Sequence, residues 1–126
     1  MTGGMRRALL GVVALAAAGA VAGWVLTAPE TVPEGSVPAD GGDAERGQAI
    51  FTIGGCASCH AADGAKGEQK LILAGGRSFV TAFGTFYAPN ISPDPESGIG
   101  AWRSVDFVNA MKHGVSPDGS HYYPAF

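Results

Sequence analysis

Cysteine is scarce: the 126 residues hold two, Cys56 and Cys59, beside three methionines and three histidines. A structural zinc centre usually needs a second ligand pair, and His113 and His121 lie far downstream of the first. A disulfide across two intervening residues would close a tiny loop and constrain the unfolded chain little. Positive charge is also thin. Arg6 and Arg7 precede every acidic residue; beyond position 28, six basic residues stand against eleven acidic ones, a balance of −5. That excludes nucleic acid as a partner, because phosphate contacts need a basic surface. From Ala8 to Leu26 there is no charge of either sign. No internal repeat is present, nor the βαβ pattern of hydrophobic strands that would frame a thioredoxin-like dithiol.

What is present is the run Cys56-Ala57-Ser58-Cys59-His60. Two thiols separated by two residues, followed at once by a histidine, read as a c-type haem attachment site. The chemistry requires this spacing. Two thiols add to the two vinyl groups of one porphyrin, so they must sit within a turn of each other, and the adjacent imidazole swings under the iron as proximal ligand. A helix starting near Cys56 puts all three groups on one edge of the macrocycle. The same pair has a second reading, a membrane-anchored thiol–disulfide oxidoreductase working through Cys56 and Cys59. The immediate histidine favours haem.

The N-terminal nineteen-residue apolar run would span roughly 28 Å as a helix, close to the ~30 Å hydrocarbon core of a bilayer. It reads as an uncleaved anchor or as a signal peptide. Ala20-Val21-Ala22 offers a cleavage site, but Trp24-Val25-Leu26 carry the apolar run past it, and Trp24 suits an interfacial anchor. Either reading keeps the arginines inside and exports the rest, so residues 1–27 form an anchor or signal segment. Residues 28–42, with Pro29, Pro33, Pro38 and several Gly and Glu, have the composition of a flexible tether. Residues 43–126 form the folded domain. Twenty glycines and eight prolines predict much irregular backbone, and so small a loop-rich domain needs help beyond a protein core.

Within the domain, Asp43 is a predicted N-cap for a helix carrying Ile50, Phe51 and Ile53 on one face and stopping at Gly54-Gly55. Phe51 reads as core packing. Residues 61–76 are polar and glycine-rich and predict a loop over the haem edge. Arg77 is a candidate donor to a haem propionate, with a solvated loop arginine as the alternative. Phe79 to Tyr87 is β-prone and aromatic, a hairpin or an extended wall, and the prolines from Pro89 to Pro95 predict turns. A second helix is predicted over Trp102–His113, with Ser104 as N-cap, Asp106 in its first turn, Val105, Phe107, Val108 and Met111 on its apolar face, and Gly114 as its stop. The end is an aromatic strip, His121-Tyr122-Tyr123-Pro124-Ala125-Phe126.

Several of these blocks carry a resemblance. Phe83-Gly84-Thr85-Phe86-Tyr87-Ala88-Pro89-Asn90-Ile91-Ser92-Pro93-Asp94, then Gly98-Ile99-Gly100-Ala101-Trp102, then Asp106-Phe107, Gly114 to Gly119 and His121 to Phe126 resemble bacterial membrane-anchored class I cytochromes c. They are similar to the cytochrome subunits of membrane alcohol, aldehyde and gluconate dehydrogenases. The resemblance implies an all-α haem-binding fold with long loops and single-electron transfer in the periplasm. It also implies one covalent haem c on Cys56, Cys59 and His60, and a membrane dehydrogenase or other redox protein as partner. Such a chain is an electron carrier on the outer face of the bacterial inner membrane, not an enzyme in its own right.

In that family the chain runs on past the Tyr-Tyr-Pro-Ala-Phe block to a methionine that ligates iron and a C-terminal helix crossing the N-terminal one. Here neither follows Phe126, so the expectation is a truncated cytochrome. Its apolar face around Ile50 and Phe51 would be unpaired, and its potential lowered by the lost methionine. Met1, Met5 and Met111 are the methionines present. Met111 is a candidate distal ligand with core packing as its alternative, and no spacing selects His113 or His121.

Overall fold

The computed structural model describes residues 2–38 and 42–123. The closing Pro124-Ala125-Phe126 of the aromatic strip, and positions 39–41 of the tether, lie outside them.

The first helix, α1, runs over Gly3–Thr27 and buries none of its side chains against the rest of the chain. It is long and apolar enough to cross a membrane. The charge-free stretch explains it: Ala, Leu and Gly-spaced Val propagate a helix, and nothing polar competes for the backbone. Thr27 Oγ1 closes its last turn by donating to Gly23 O, 2.8 Å away.

α2 covers Ala44–Ile53. Asp43 caps it as expected, its Oδ1 accepting from Arg46 N at 3.0 Å. Gly54 ends it by donating to the Ile50 carbonyl at 2.8 Å. Gly55 then turns left-handed at φ +64°, a conformation that suits glycine, and α3, Cys56–His60, begins at once. The predicted loop over 61–76 contains one regular piece, a 3-10 turn at Gly67–Ile72.

A hairpin follows. β1, Ser78–Thr81, pairs antiparallel with β2, Gly84–Tyr87, in the register Ser78↔Tyr87 to Thr81↔Gly84. Its turn is tied by Thr81, whose Oγ1 accepts from Phe83 N at 3.1 Å and donates to Gly84 O at 2.9 Å. The domain is therefore helical with little sheet; the short hairpin is the one regular departure from the all-α expectation among the described residues.

The Pro-rich stretch after the hairpin packs on itself. Asp94 Oδ1 accepts from Glu96 N, Ser97 N and Ser97 Oγ at 3.0, 2.7 and 2.9 Å. These bonds, the one from Ser97 N foremost, hold the Asp94 carboxyl below its ordinary pKa. Gly98 and Gly100 pass so close to the Ser92 and Pro93 carbonyls that neither position has room for a Cβ.

α4 covers Ser104–His113, which moves the N-cap from Ser104, where the sequence places it, to Arg103. The cause is Asp106, which reaches back: its Oδ2 accepts from Arg103 N at 3.0 Å and Nε at 2.9 Å, while its Oδ1 takes the other guanidinium nitrogen at 2.8 Å. With the carboxylate closing the first turn from inside, no serine hydroxyl is needed. The same guanidinium hydrogen bonds depress the Asp106 pKa. Gly114 stops the helix at φ +61° as predicted.

Among the described residues four apolar ones are buried, Ala61, Ala88, Val105 and Val115, the last at 1% exposure. Val115 bridges His121, and Phe86 stacks on Tyr123 with ring centres 3.9 Å apart. Many large apolar side chains stay open, Ile50 and Ile53 on α2 among them. Among the described residues the tether touches the domain at two points, and the end of α1 touches it at a third. Val32 N donates to Asn109 Oδ1 at 2.8 Å, Glu34 pairs with Arg103, and a ring nitrogen of His121, Nε2, lies 3.0 Å from Thr27 O at the end of α1.

Candidate functional site

The site begins with the left-handed turn at Gly55. It aims α3 so that Cys56, Cys59 and His60 share a single five-residue helix. Both cysteines are free thiols and half-buried. His60, the last residue of the helix, is half-buried, and its Nδ1 lies 2.9 Å from the Pro89 carbonyl oxygen. A carbonyl only accepts, so Nδ1 carries the hydrogen and donates it. Nε2 is thereby left with a bare lone pair, the form in which an imidazole ligates a metal.

Pro89 is delivered by a backbone ladder between two irregular segments. Ile91 N donates to Leu73 O at 3.0 Å, Gly76 N to Ala88 O at 2.9 Å and Ala88 N to Arg77 O at 2.9 Å. Gly75 N donates to His60 O itself at 2.8 Å. The segment 73–77 thus holds the backbone of His60 while its partner 88–91 holds the ring. Sequence reasoning singled out neither the Pro89 carbonyl nor Gly75. The adjacent glycines 75 and 76, and a proline flanked by alanine and asparagine, were the signals available, and both read only as loop.

Arg77 has a protein partner. It donates from a terminal guanidinium nitrogen to Ser58 O at 2.5 Å and stands over the Phe79 ring, 5.8 Å from its centre. The arginine is thus tied to the middle of the Cys-Ala-Ser-Cys-His turn. Met111 lies on α4 at 61% exposure, so it is not core packing; no Cα of α4 comes within 8 Å of one in α3. His121 spends Nε2 on the end of α1.

These residues fit a covalently held haem. Two free thiols lie one helical turn apart beside an imidazole whose Nε2 is open by construction, and large apolar side chains are available at the surface to meet a macrocycle. No group of three or more His, Cys, Asp or Glu that could hold a metal ion by itself occurs among the described residues. A zinc centre has no ligand set there.

Comparison with known proteins agrees. The family model described as "Cytochrome c" matches residues 44–125. The chain is 50% identical over 122 residues, 97% of its length, to a protein named diheme cytochrome c-type from Cereibacter sphaeroides, of which it spans 41%. It is 41% identical over 81 residues to the gluconate 2-dehydrogenase cytochrome c subunit of Pantoea cypripedii, covering 64% of this chain and 17% of that one. It is 38% identical over 87 residues to the cytochrome c subunit of a quinone alcohol dehydrogenase from Gluconacetobacter polyoxogenes, covering 69% of this chain and 18% of that one. The chain thus spans less than half the length of these relatives. With a family model covering most of the folded part, the chain belongs to the cytochrome c family, c-type cytochromes that carry electrons on a covalently bound haem.

Proposed function

We propose that this domain holds one haem c through thioether bonds to Cys56 and Cys59, with His60 Nε2 as the proximal iron ligand. The observation that carries the reading is the His60–Pro89 hydrogen bond, because it fixes the tautomer that ligation needs. Each thiol adds across a vinyl double bond: a carbon–sulfur bond forms at one carbon, the thiol hydrogen goes to the other, and no oxidant is consumed. When bound, the haem supplies a one-electron couple. The chain's own residues anchor it at two points, orient the imidazole and tie the attachment turn to Arg77. One Cys-x-x-Cys-His run supports one haem on this stretch, while the longer Cereibacter relative is named for two.

The role that follows is electron transfer from a membrane dehydrogenase toward a terminal acceptor. Relatives named as cytochrome subunits of gluconate, alcohol and fructose dehydrogenases support the donor class. Placement on the periplasmic face of the inner membrane rests on α1 as an anchor, with Arg6 and Arg7 on the cytoplasmic side. Residues 28–42 tether the domain, 43–126. No residue is assigned to the distal iron position, for which Met111 is one candidate.

Haem staining of the full chain on a denaturing gel tests the assignment. Stain that survives denaturation, and disappears in a Cys56→Ala/Cys59→Ala double variant, is the expected result. A colourless product with two reactive thiols would overturn it and favour the thiol–disulfide reading.

A further inference from the structure

We infer that Gly75 is a positioning residue for the proximal ligand: its backbone sets how closely the Pro89 carbonyl approaches His60 Nδ1. This rests on the assignment of His60 as iron ligand.

Three groups close a triangle. The first side is Gly75 N donating to His60 O at 2.8 Å. The second is His60 Nδ1 donating to Pro89 O at 2.9 Å. The third is a packing contact: Gly75 lies directly against the Ala88–Pro89 backbone, buried, at φ +70°. A Cβ placed on it would come to 2.5 Å from Ala88 O and 2.6 Å from both the carbonyl carbon and oxygen of Pro89. All three atoms are backbone, so no side chain can rotate away to make room. A methyl group here must therefore push segment 88–91 off segment 73–77. His60 cannot follow Pro89, since its own carbonyl is bonded to the Gly75 side. Opening the third side stretches the second.

The chemical consequence has a sign. A carbonyl accepting the Nδ1 hydrogen raises the basicity of the opposite nitrogen, and a more basic ligand favours the higher oxidation state of the metal. Lengthening that bond therefore raises the midpoint potential.

Gly76 provides the control. It too is left-handed, at φ +87°, but an added Cβ meets nothing within 4 Å. Gly75→Ala and Gly76→Ala thus impose a similar backbone conformational cost, and only the first adds the push on Pro89. The measurement is the midpoint potential by spectroelectrochemical titration of the full chain, matured with haem in an export-competent host. The expected result is a positive shift for Gly75→Ala relative to both the parent and Gly76→Ala. Holoprotein from Gly76→Ala but none from Gly75→Ala bears the inference out as well, because the backbone cost is shared and the contact is not. Equal potentials in the two variants overturn it, and so does loss of holoprotein in both. A parent chain without covalent haem stain overturns the haem assignment, and this inference with it; stain with unchanged potential overturns this inference alone.

Discussion

Removing the Arg77 side chain should measure how firmly the attachment turn is held. The guanidinium makes two contacts, a hydrogen bond to Ser58 O at 2.5 Å and a stack over Phe79 at 5.8 Å. A charge-assisted hydrogen bond is worth about 1.5–3 kcal/mol when its partner is left unsatisfied. Both groups here are exposed, so water replaces much of what is lost and about 1 kcal/mol remains. An exposed cation–π contact adds about 0.5 kcal/mol. Arg77→Ala should thus cost about 1.5 kcal/mol, and at 4–8 °C per kcal/mol for a domain of this size the melting temperature falls by roughly 6–12 °C. Arg77→Lys keeps the charge but not the planar fork, and should recover part of the loss. Thermal unfolding followed in parallel by far-ultraviolet circular dichroism and Soret absorbance reads both variants. A melting temperature for Arg77→Ala within about 2 °C of the parent would refute the reasoning. If the melting point held while the midpoint potential changed, the guanidinium would instead be serving a haem propionate.

Three further outcomes follow from other contacts. Asn109→Ala removes the acceptor for Val32 N and should cost about 1 kcal/mol of tether docking, read as roughly five-fold faster protease cleavage between residues 28 and 42. Glu34→Gln should change the same rate by less, since the pair with Arg103 is largely exposed. Asp118, held at a pKa of about 2 against an ordinary 3.8 by the Ser116 hydroxyl and then the Ser120 amide, stabilises its turn fully above pH 3.8 and loses that contribution as pH falls through 2; NMR titration should show Ser116→Ala returning it toward 3.8. His60→Ala should keep the haem stain, because the thioethers remain, while shifting the Soret spectrum, because the imidazole that binds the iron is gone.

The local signals in the sequence were good where a residue type has one strong backbone preference. Asp43 as a cap, Gly54-Gly55 as a break and Gly114 as a stop all depend on short-range hydrogen bonding and φ alone, and all stand in the structure. The Cys-x-x-Cys-His turn was legible for the same reason: its chemistry is contained in five consecutive residues. Ser104 was misplaced as N-cap because serine caps only when nothing better reaches the helix start, and Asp106 with Arg103 does. The proximal brace was invisible for a different reason. His60 and Pro89 are 29 positions apart, and the group that matters on Pro89 is its carbonyl, which every residue possesses. Likewise Gly75 reads as one more loop glycine until the Ala88–Pro89 backbone is seen against it.

That distinction bears on how the site tolerates change. The imidazole is fixed by main-chain groups of His60, Leu73, Gly75, Gly76, Arg77, Ala88, Pro89 and Ile91, not by a large packed core. Side chains projecting from the ladder can be exchanged without altering a single one of those bonds, provided backbone conformation is kept. Two kinds of substitution break this tolerance: any residue with a Cβ at Gly75, which intrudes between the segments, and proline at Ala88 or Ile91, which deletes a donated N–H. Large-to-small changes at exposed Ile53 or Phe83 should leave the orientation of His60 untouched, whereas Ala88→Pro, although small and remote from the iron ligand's own side chain, removes the bond to Arg77 O and with it one of the ties that register Pro89. A scan of these positions read by the Soret spectrum separates the two classes. If the exposed apolar variants disturbed that spectrum as strongly as Ala88→Pro, side-chain packing rather than the backbone ladder would be what orients the ligand.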